Sequence, residues 1–310
     1  MTDVIEIEGL TKTYGDFTAV NSLSLKIKKN SFVGFLGPNG AGKSTTIKML
    51  TNLTSATSGT AFLNGIDVVK DPKGALTEVG AVVETPEFYP YLTPVKSLEY
   101  IARLRGMNKD DIVKRTTEVL ELVKMNEEKN KKIGKFSKGM KQRVALAQAL
   151  MFEPSILILD EPTSGLDPRG MVEVREILQD LRKEDITVFM SSHLLNEAQD
   201  ICDSVAMMNH GKLLVHSSIE DLRKGLETNR IEIKTIGNVS DDQANSYRGI
   251  SSVKDLEILS ENQLAIDFKG DEETKNLLLR KIDSELRVIS FHESGNPLES
   301  LYLGMIKESR

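Results

Sequence analysis

The chain has 310 residues with 40 Lys and Arg against 46 Asp and Glu, a formal net charge of -6, and 39% hydrophobic residues. That is enough chain to bury a full core, with two domains as the expected division. The acidic balance argues against a nucleic-acid binder with a basic face. A single cysteine, Cys202, excludes an internal disulfide framework and a cysteine-rich metal site. No stretch reaches the roughly 18 to 20 apolar residues of a membrane-spanning helix, and the N-terminal residues carry no secretion signal, so a cytoplasmic protein is expected.

In chain order, Ser31 to Leu36 reads as a buried strand running into a glycine-rich loop, and Thr45 to Leu53 as the helix that leaves it. The loop is Gly37-Pro38-Asn39-Gly40-Ala41-Gly42-Lys43-Ser44. Its glycines let backbone N–H groups close around phosphate oxygens, and the following helix N-terminus adds a favourable dipole. Lys43 is expected to reach the β- and γ-phosphates of ATP, and the Ser44 hydroxyl to ligate Mg²⁺. Residues from about 92 to 152 read as largely helical, a subdomain inserted into an alternating strand and helix pattern. The basic run between Lys124 and Arg143 reads as a solvated loop and helix face, part of it overlapping a motif taken up below.

Ile156-Leu157-Ile158-Leu159 reads as a buried strand that ends in Asp160 and Glu161. Two carboxylates at the open end of a parallel strand can hold the Mg²⁺ shell, for Asp160, and polarise the water that attacks the γ-phosphate, for Glu161. A helix is expected from Pro168 to Lys183, capped by Asp167, with Val174, Ile177, Leu178 and Leu181 on one face. Further strands fall at Ile186 to Met190 and Val205 to Met208, so a mostly parallel sheet follows. Beyond residue 225 the order is strand Arg230 to Ile236, helix Asp241 to Tyr247, strands Val253 to Leu259 and Gln263 to Phe268, helix Asp271 to Ile282, and strand Arg287 to His292. That is the ferredoxin-like arrangement, with a closing helix expected around Leu298 to Lys307.

With these motifs in order, residues 3 to 220 resemble the ATPase subunit of an ATP-binding cassette (ABC) transporter. The resemblance implies an α/β fold: a P-loop NTPase cassette with a RecA-like core, an antiparallel β subdomain and the helical insertion at about 86–152. Residues 1–222 would form the cassette, and 226–310 an accessory or regulatory domain.

Phe136-Ser137-Lys138-Gly139-Met140 resembles the family signature, usually Leu-Ser-Gly-Gly-Gln, keeping the serine and the second glycine. Thr163-Ser164-Gly165-Leu166-Asp167 matches the loop that crosses between two subunits, and His193 in Ser191-Ser192-His193 matches the γ-phosphate-sensing histidine. Tyr14 matches the aromatic that stacks on adenine.

Through the resemblance, the nucleotide site comprises Tyr14, Gly37 to Thr45, Ser137, Gly139 and Asp167, with Lys43, Glu161 and His193 as the catalytic set. Ser44, Asp160 and Glu84 would hold the metal. Glu84 is a departure, standing where the family usually has a Mg²⁺-sensing glutamine. No glutamine neighbours it in the sequence to take that place. The aromatic stretch Pro86 to Thr93 lies where the family receives the permease's coupling helix.

The resemblance further implies a homodimer joined through ATP and a separately encoded integral membrane permease at the inner face of the membrane. The stretch at 86 to 93, the Lys-Gly-Met signature and the segment Leu298 to Leu303 resemble the subgroup of ATPases that serve drug, peptide-antibiotic or lantibiotic export. The competing reading is a soluble cassette acting on ribosomes or DNA, but such proteins join two cassettes or insert a coiled coil, and neither is present. A P-loop kinase or GTPase would leave the signature and His193 unexplained.

Overall fold

The computed structural model describes residues 2–224 and 229–293. The chain divides after Ile219 into two compact units.

The first unit opens with an antiparallel hairpin, β1 (Asp3–Tyr14) and β2 (Phe17–Lys28), in which inward-facing aliphatic residues alternate with polar ones. Strand β3 (Phe32–Leu36) is buried at all five positions and leads into the phosphate loop. Helix α1 covers Lys43–Leu50, shorter and earlier than the expected Thr45 to Leu53. Gly42, left-handed at φ 108°, starts the helix, so Lys43 and Ser44 lie in its first turn. At the other end Asn52 turns to φ 54° and stops it.

Next come β4 (Ser58–Leu63), β5 (Ile66–Asp67), α2 (Pro72–Ala75) and β6 (Val79–Val82). The helical insertion is α3 (Pro94–Leu104), α4 (Lys109–Leu122) and α5 (Lys138–Leu150). Each starts at a side-chain cap: Thr93 accepts from the Lys96 N–H, Asn108 from that of Asp111, and Ser137 from that of Met140.

Strand β7 (Ile156–Leu159) is buried throughout. Helix α6 (Pro168–Asp180) buries Val174, Ile177 and Leu178, and a 3₁₀ turn at Leu181–Lys183 finishes the segment expected as one helix. Strand β8 (Thr187–Ser192), helix α7 (Leu195–Ile201), and strands β9 (Ser204–Asn209) and β10 (Lys212–Ser218) complete the run, and helix α8 (Ile219–Lys224) starts where the two units divide.

Two sheets result, a four-stranded one ordered β2-β1-β4-β5 and a six-stranded one ordered β10-β9-β3-β8-β7-β6. In the larger sheet β9, β3, β8, β7 and β6 pair in parallel and β10 closes one edge antiparallel. Burial on both faces explains why β3, β7 and β8 are unbroken apolar or small runs. One core joins Ile5, Ile7, Leu23 and Leu25 of the small sheet to Phe35, Ile158 and Phe189 of the large one, with Ile47 and Leu50 of α1 between them. Because β3 and β7 are parallel, the phosphate loop and the Asp160-Glu161 pair leave the sheet at the same end.

In the second unit, β11 (Asn229–Thr235), α9 (Asp241–Arg248), β12 (Val253–Ser260), β13 (Gln263–Phe268), α10 (Glu272–Leu286) and β14 (Val288–Glu293) follow in the expected order. Their antiparallel sheet is ordered β12-β13-β11-β14, the ferredoxin-like topology. Ser240 and Gln243 form a capping box at α9. Tyr247 is fully buried in the core with Ile231, Ile266 and Ile282, and its hydroxyl donates to Glu285 at 2.8 Å. The helix and apolar segment expected from Leu298 onward lie outside the described residues.

Candidate nucleotide site

The phosphate loop is held closed by contacts that only glycine tolerates. A Cβ on Gly37 would stand 2.4 Å from the Met208 carbonyl oxygen, and one on Gly42 would stand 2.5 Å from that of Ala19. The loop is thereby clamped between β9 and the β1–β2 hairpin. Across the loop the Ala41 N–H donates to the Pro38 carbonyl at 3.1 Å.

Lys43, only 5% exposed, donates to the Gly37 carbonyl at 2.7 Å and lies 3.6 Å from Glu161 Oε1. Burial holds its ammonium below the ordinary lysine range, with Glu161 and Asp160 opposing the shift. Ser44 Oγ donates to Asp160 Oδ1 at 3.1 Å, joining the start of α1 to the end of β7.

Glu161 adopts φ 46°, a left-handed conformation that a residue with a side chain rarely takes. Strain of this kind gathers at functional sites. It turns the carboxylate back over the strand end, where Glu161 Oε2 lies 3.2 Å from Nδ1 of His193.

Ser191, which the sequence reading left without a role, holds the pair in register. Its hydroxyl donates to Asp160 Oδ1 at 2.6 Å and accepts from the Glu161 N–H at 2.9 Å. Two neighbouring parallel strands, β7 and β8, thus lock their C-terminal ends together. Buried Glu197 does the same one layer further out, accepting from Thr163 at 2.6 Å and Ser192 at 2.8 Å. The sequence signal for Ser191 was the polar Ser191-Ser192-His193 ending of an apolar strand, and Glu197 had none.

A cleft of about 290 Å³ is lined by Ser44, Glu84, Asp160 and Glu161 together with Lys138, Gln142 and Ser164. Glu84, at φ 65°, is two-thirds exposed at its rim and ion-paired with Lys48 of α1. A glutamine does reach this cleft: Gln142 comes from α5, far from Glu84 in sequence.

Tyr14 ends β1, half exposed, with Lys12 Nζ 4.8 Å from its ring centre. Thr45 sits in the first turn of α1. Pro38, Asn39, Gly40 and Ala41 lie in the loop itself.

Ser137, Gly139 and Asp167 do not line the cleft. Ser137 caps α5, Asp167 caps α6 by accepting from the Gly170 N–H at 3.3 Å, and Gly139 packs where a Cβ would meet Gly170 Cα at 3.3 Å. Lys138, next in line, donates to the Ser164 carbonyl at 2.8 Å.

The deciding observation is the order of these parts along one sheet end, and comparison with known proteins agrees with it. The family model for ABC transporter matches residues 20–164. The chain is 43% identical over 225 residues to the bacitracin transport ATP-binding protein BcrA of Bacillus licheniformis, covering 72% of each. It is 32% identical over 305 residues to the linearmycin resistance ATP-binding protein LnrL of Bacillus subtilis (strain 168), covering 97% of this chain and 98% of the relative.

The chain belongs to the ATP-binding proteins of ABC transporters. It is an ATP-binding, ATP-hydrolysing cassette. Among solved structures, a dimeric ATP-binding cassette in a post-hydrolysis state, bound to ADP and Pi, superposes with a TM-score of 0.63 at 26% identity, covering 69% of this chain and 98% of that one. The likeness to LnrL extends the family match through the second unit of this cassette protein. Among the described residues no helix is long and apolar enough to cross a membrane.

Proposed function

We propose that this cassette protein powers export of a drug or peptide antibiotic through a separately encoded membrane permease, working as a dimer. Residues 1–222 carry the ATPase and 226–310 an accessory, dimer-supporting or regulatory domain. Support for the export class comes from the relatives whose names give bacitracin transport and linearmycin resistance. No nucleic acid takes part in this reading.

The observation that carries it is the convergence of Ser44, Asp160, Glu161 and His193 within one hydrogen-bonded array. In it the loop backbone from Gly37 to Gly42 and the first turn of α1 cradle the phosphates, with Lys43 turning from its own loop carbonyls to the β- and γ-phosphates. Glu161 takes the proton of the attacking water, and His193, bonded to Glu161, orients that carboxylate and meets the γ-phosphate. Tyr14 stacks on the adenine.

The donors suit Mg²⁺: a hydroxyl and a carboxylate 3.1 Å apart, with Glu84 at the rim of the same cleft. Mg²⁺ at phosphate sites takes one or two carboxylates besides the phosphates, so the lack of a larger His, Cys, Asp or Glu cluster among the described residues does not count against it. Bound there by Ser44, Asp160 and Glu84, the ion would neutralise charge on the β- and γ-phosphates.

The other half of each site, Ser137 and Gly139 at the start of α5 with Asp167 beside them, is contributed by the second copy. That explains why these three do not line the cleft of their own chain. Dimeric association of a related cassette supports this reading.

Replacing Glu161 by Gln tests the assignment. Turnover is expected to fall about 10² to 10⁴-fold, the range for losing a general base. ATP should still bind and draw the variant into a dimer on gel filtration. A Glu161→Gln chain that stays monomeric with ATP, or keeps full turnover, contradicts it.

A further inference from the structure

Gln142 lies one turn into α5 and is 5% exposed, yet it lines the cleft shared by Ser44, Asp160 and Glu161. Its amide has no hydrogen-bond partner among the described residues, and it is absent from the few buried polar atoms sealed off from the surface. Thr116 and Asn126, by contrast, bury an unbonded oxygen away from any opening. A largely buried amide that opens on a cleft keeps its donors free for a group that enters there.

The charges around it say which group that is. Asp160 and Glu161 supply the acceptors on the strand side, so the cleft already has acceptors in excess. Of the cations around it, Lys138 donates to the Ser164 carbonyl, Lys48 pairs with Glu84 at the rim, and Lys43 lies against Glu161 on the phosphate-loop side. Besides Lys43, what the cleft offers a ligand rich in oxygen is the neutral N–H pair of Gln142, a donor that adds no charge and costs no titration. The phosphate loop fixes the near phosphates at the start of α1, so the cleft beyond Ser44 and Asp160 receives the far one.

We propose that Gln142 donates a hydrogen bond to the terminal phosphate of bound ATP, so that this cleft tells the triphosphate from the diphosphate. This rests on the nucleotide-site reading above. It also gives the cleft a neutral amide although Glu84 replaces the usual glutamine, with Lys48 holding the added carboxylate at the rim.

The test is binding, read apart from turnover. Calorimetry on the full chain in EDTA, which blocks hydrolysis, compares ATP with ADP for the parent, Gln142→Leu and Gln142→Glu. Gln142→Leu is expected to weaken ATP about tenfold, the loss of one buried hydrogen bond to a charged group, while ADP stays within about twofold. Gln142→Glu, the same size but anionic, should weaken ATP further and again spare ADP, and it carries the test alone if the leucine variant fails to fold. Variants that keep the parental ratio of ATP to ADP affinity, whether both stay or both fall, overturn the role of Gln142 alone. A parent that binds neither nucleotide overturns the nucleotide-site reading itself.

Discussion

At the residue scale, the proposed chemistry is concentrated where two strand ends and one helix start meet, and burial acts on Lys43 there. Burial lowers its pKa from the ordinary lysine value of 10.5. A base with a depressed pKa loses its charge early as pH rises, and phosphate binds the charged form. ATP affinity is therefore expected to begin falling below pH 10.5, earlier than for an ordinary lysine, by at most about tenfold per pH unit. ADP, which keeps the β-phosphate, should follow the same trend. A titration of Kd against pH checks this, and a profile that stays flat through pH 10.5 contradicts it. The glycines, Lys43, Ser44, Asp160 and Glu161 were legible in the sequence because each motif is contiguous. The placement of Ser191 and the role proposed for Gln142 were not, since a serine or glutamine takes its meaning only from what the fold sets opposite it.

At the element scale, buried parallel strands and amphipathic helices announced themselves by period. Val174, Ile177, Leu178 and Leu181 are all buried as their spacing required. The βαββαβ order of the second unit was readable too, because alternation in β11 to β14 is a local signal. Sheet order was not, since β7 and β8 pair across a helix and the register is set by packing. Even the limits of α1 depended on a tertiary fact, the clamp on Gly42 by Ala19.

The seam between sheet and helical insertion turns on Gly80 of β6, where a Cβ would come 2.3 Å from the Ala149 carbonyl oxygen of α5. Gly80→Ala is expected to push β6 and α5 apart, at a cost of about 1 to 3 kcal/mol typical of overpacking. A thermal melt reads the loss. Turnover should fall as well, because β6 leads to Glu84 and α5 carries Gln142. A variant as stable and active as the parent would show that this contact is slack.

At the scale of the whole molecule, a single chain gathers the set proposed for gripping phosphate and positioning water, but keeps Ser137 and Gly139 outside that cleft. Their serine and glycine sit at the start of a capped helix, where backbone N–H groups face outward and favour an anion. One P-loop per chain makes two shared sites in a two-fold dimer the natural closure, each site taking its loop from one copy and its signature from the other. ATP binding would then join the copies and hydrolysis release them, the step that drives a permease.

Mixing two inactive variants tests this most directly. Lys43→Ala spoils the phosphate loop and Ser137→Arg spoils the signature, so each alone is expected to hydrolyse ATP at a few per cent of the parent or less. In an equimolar mixture the mixed dimer has one site with both defects and one with neither, so turnover should return to about a quarter of the parent, half the dimers being mixed with one sound site each. A mixture no more active than its components would contradict the shared site.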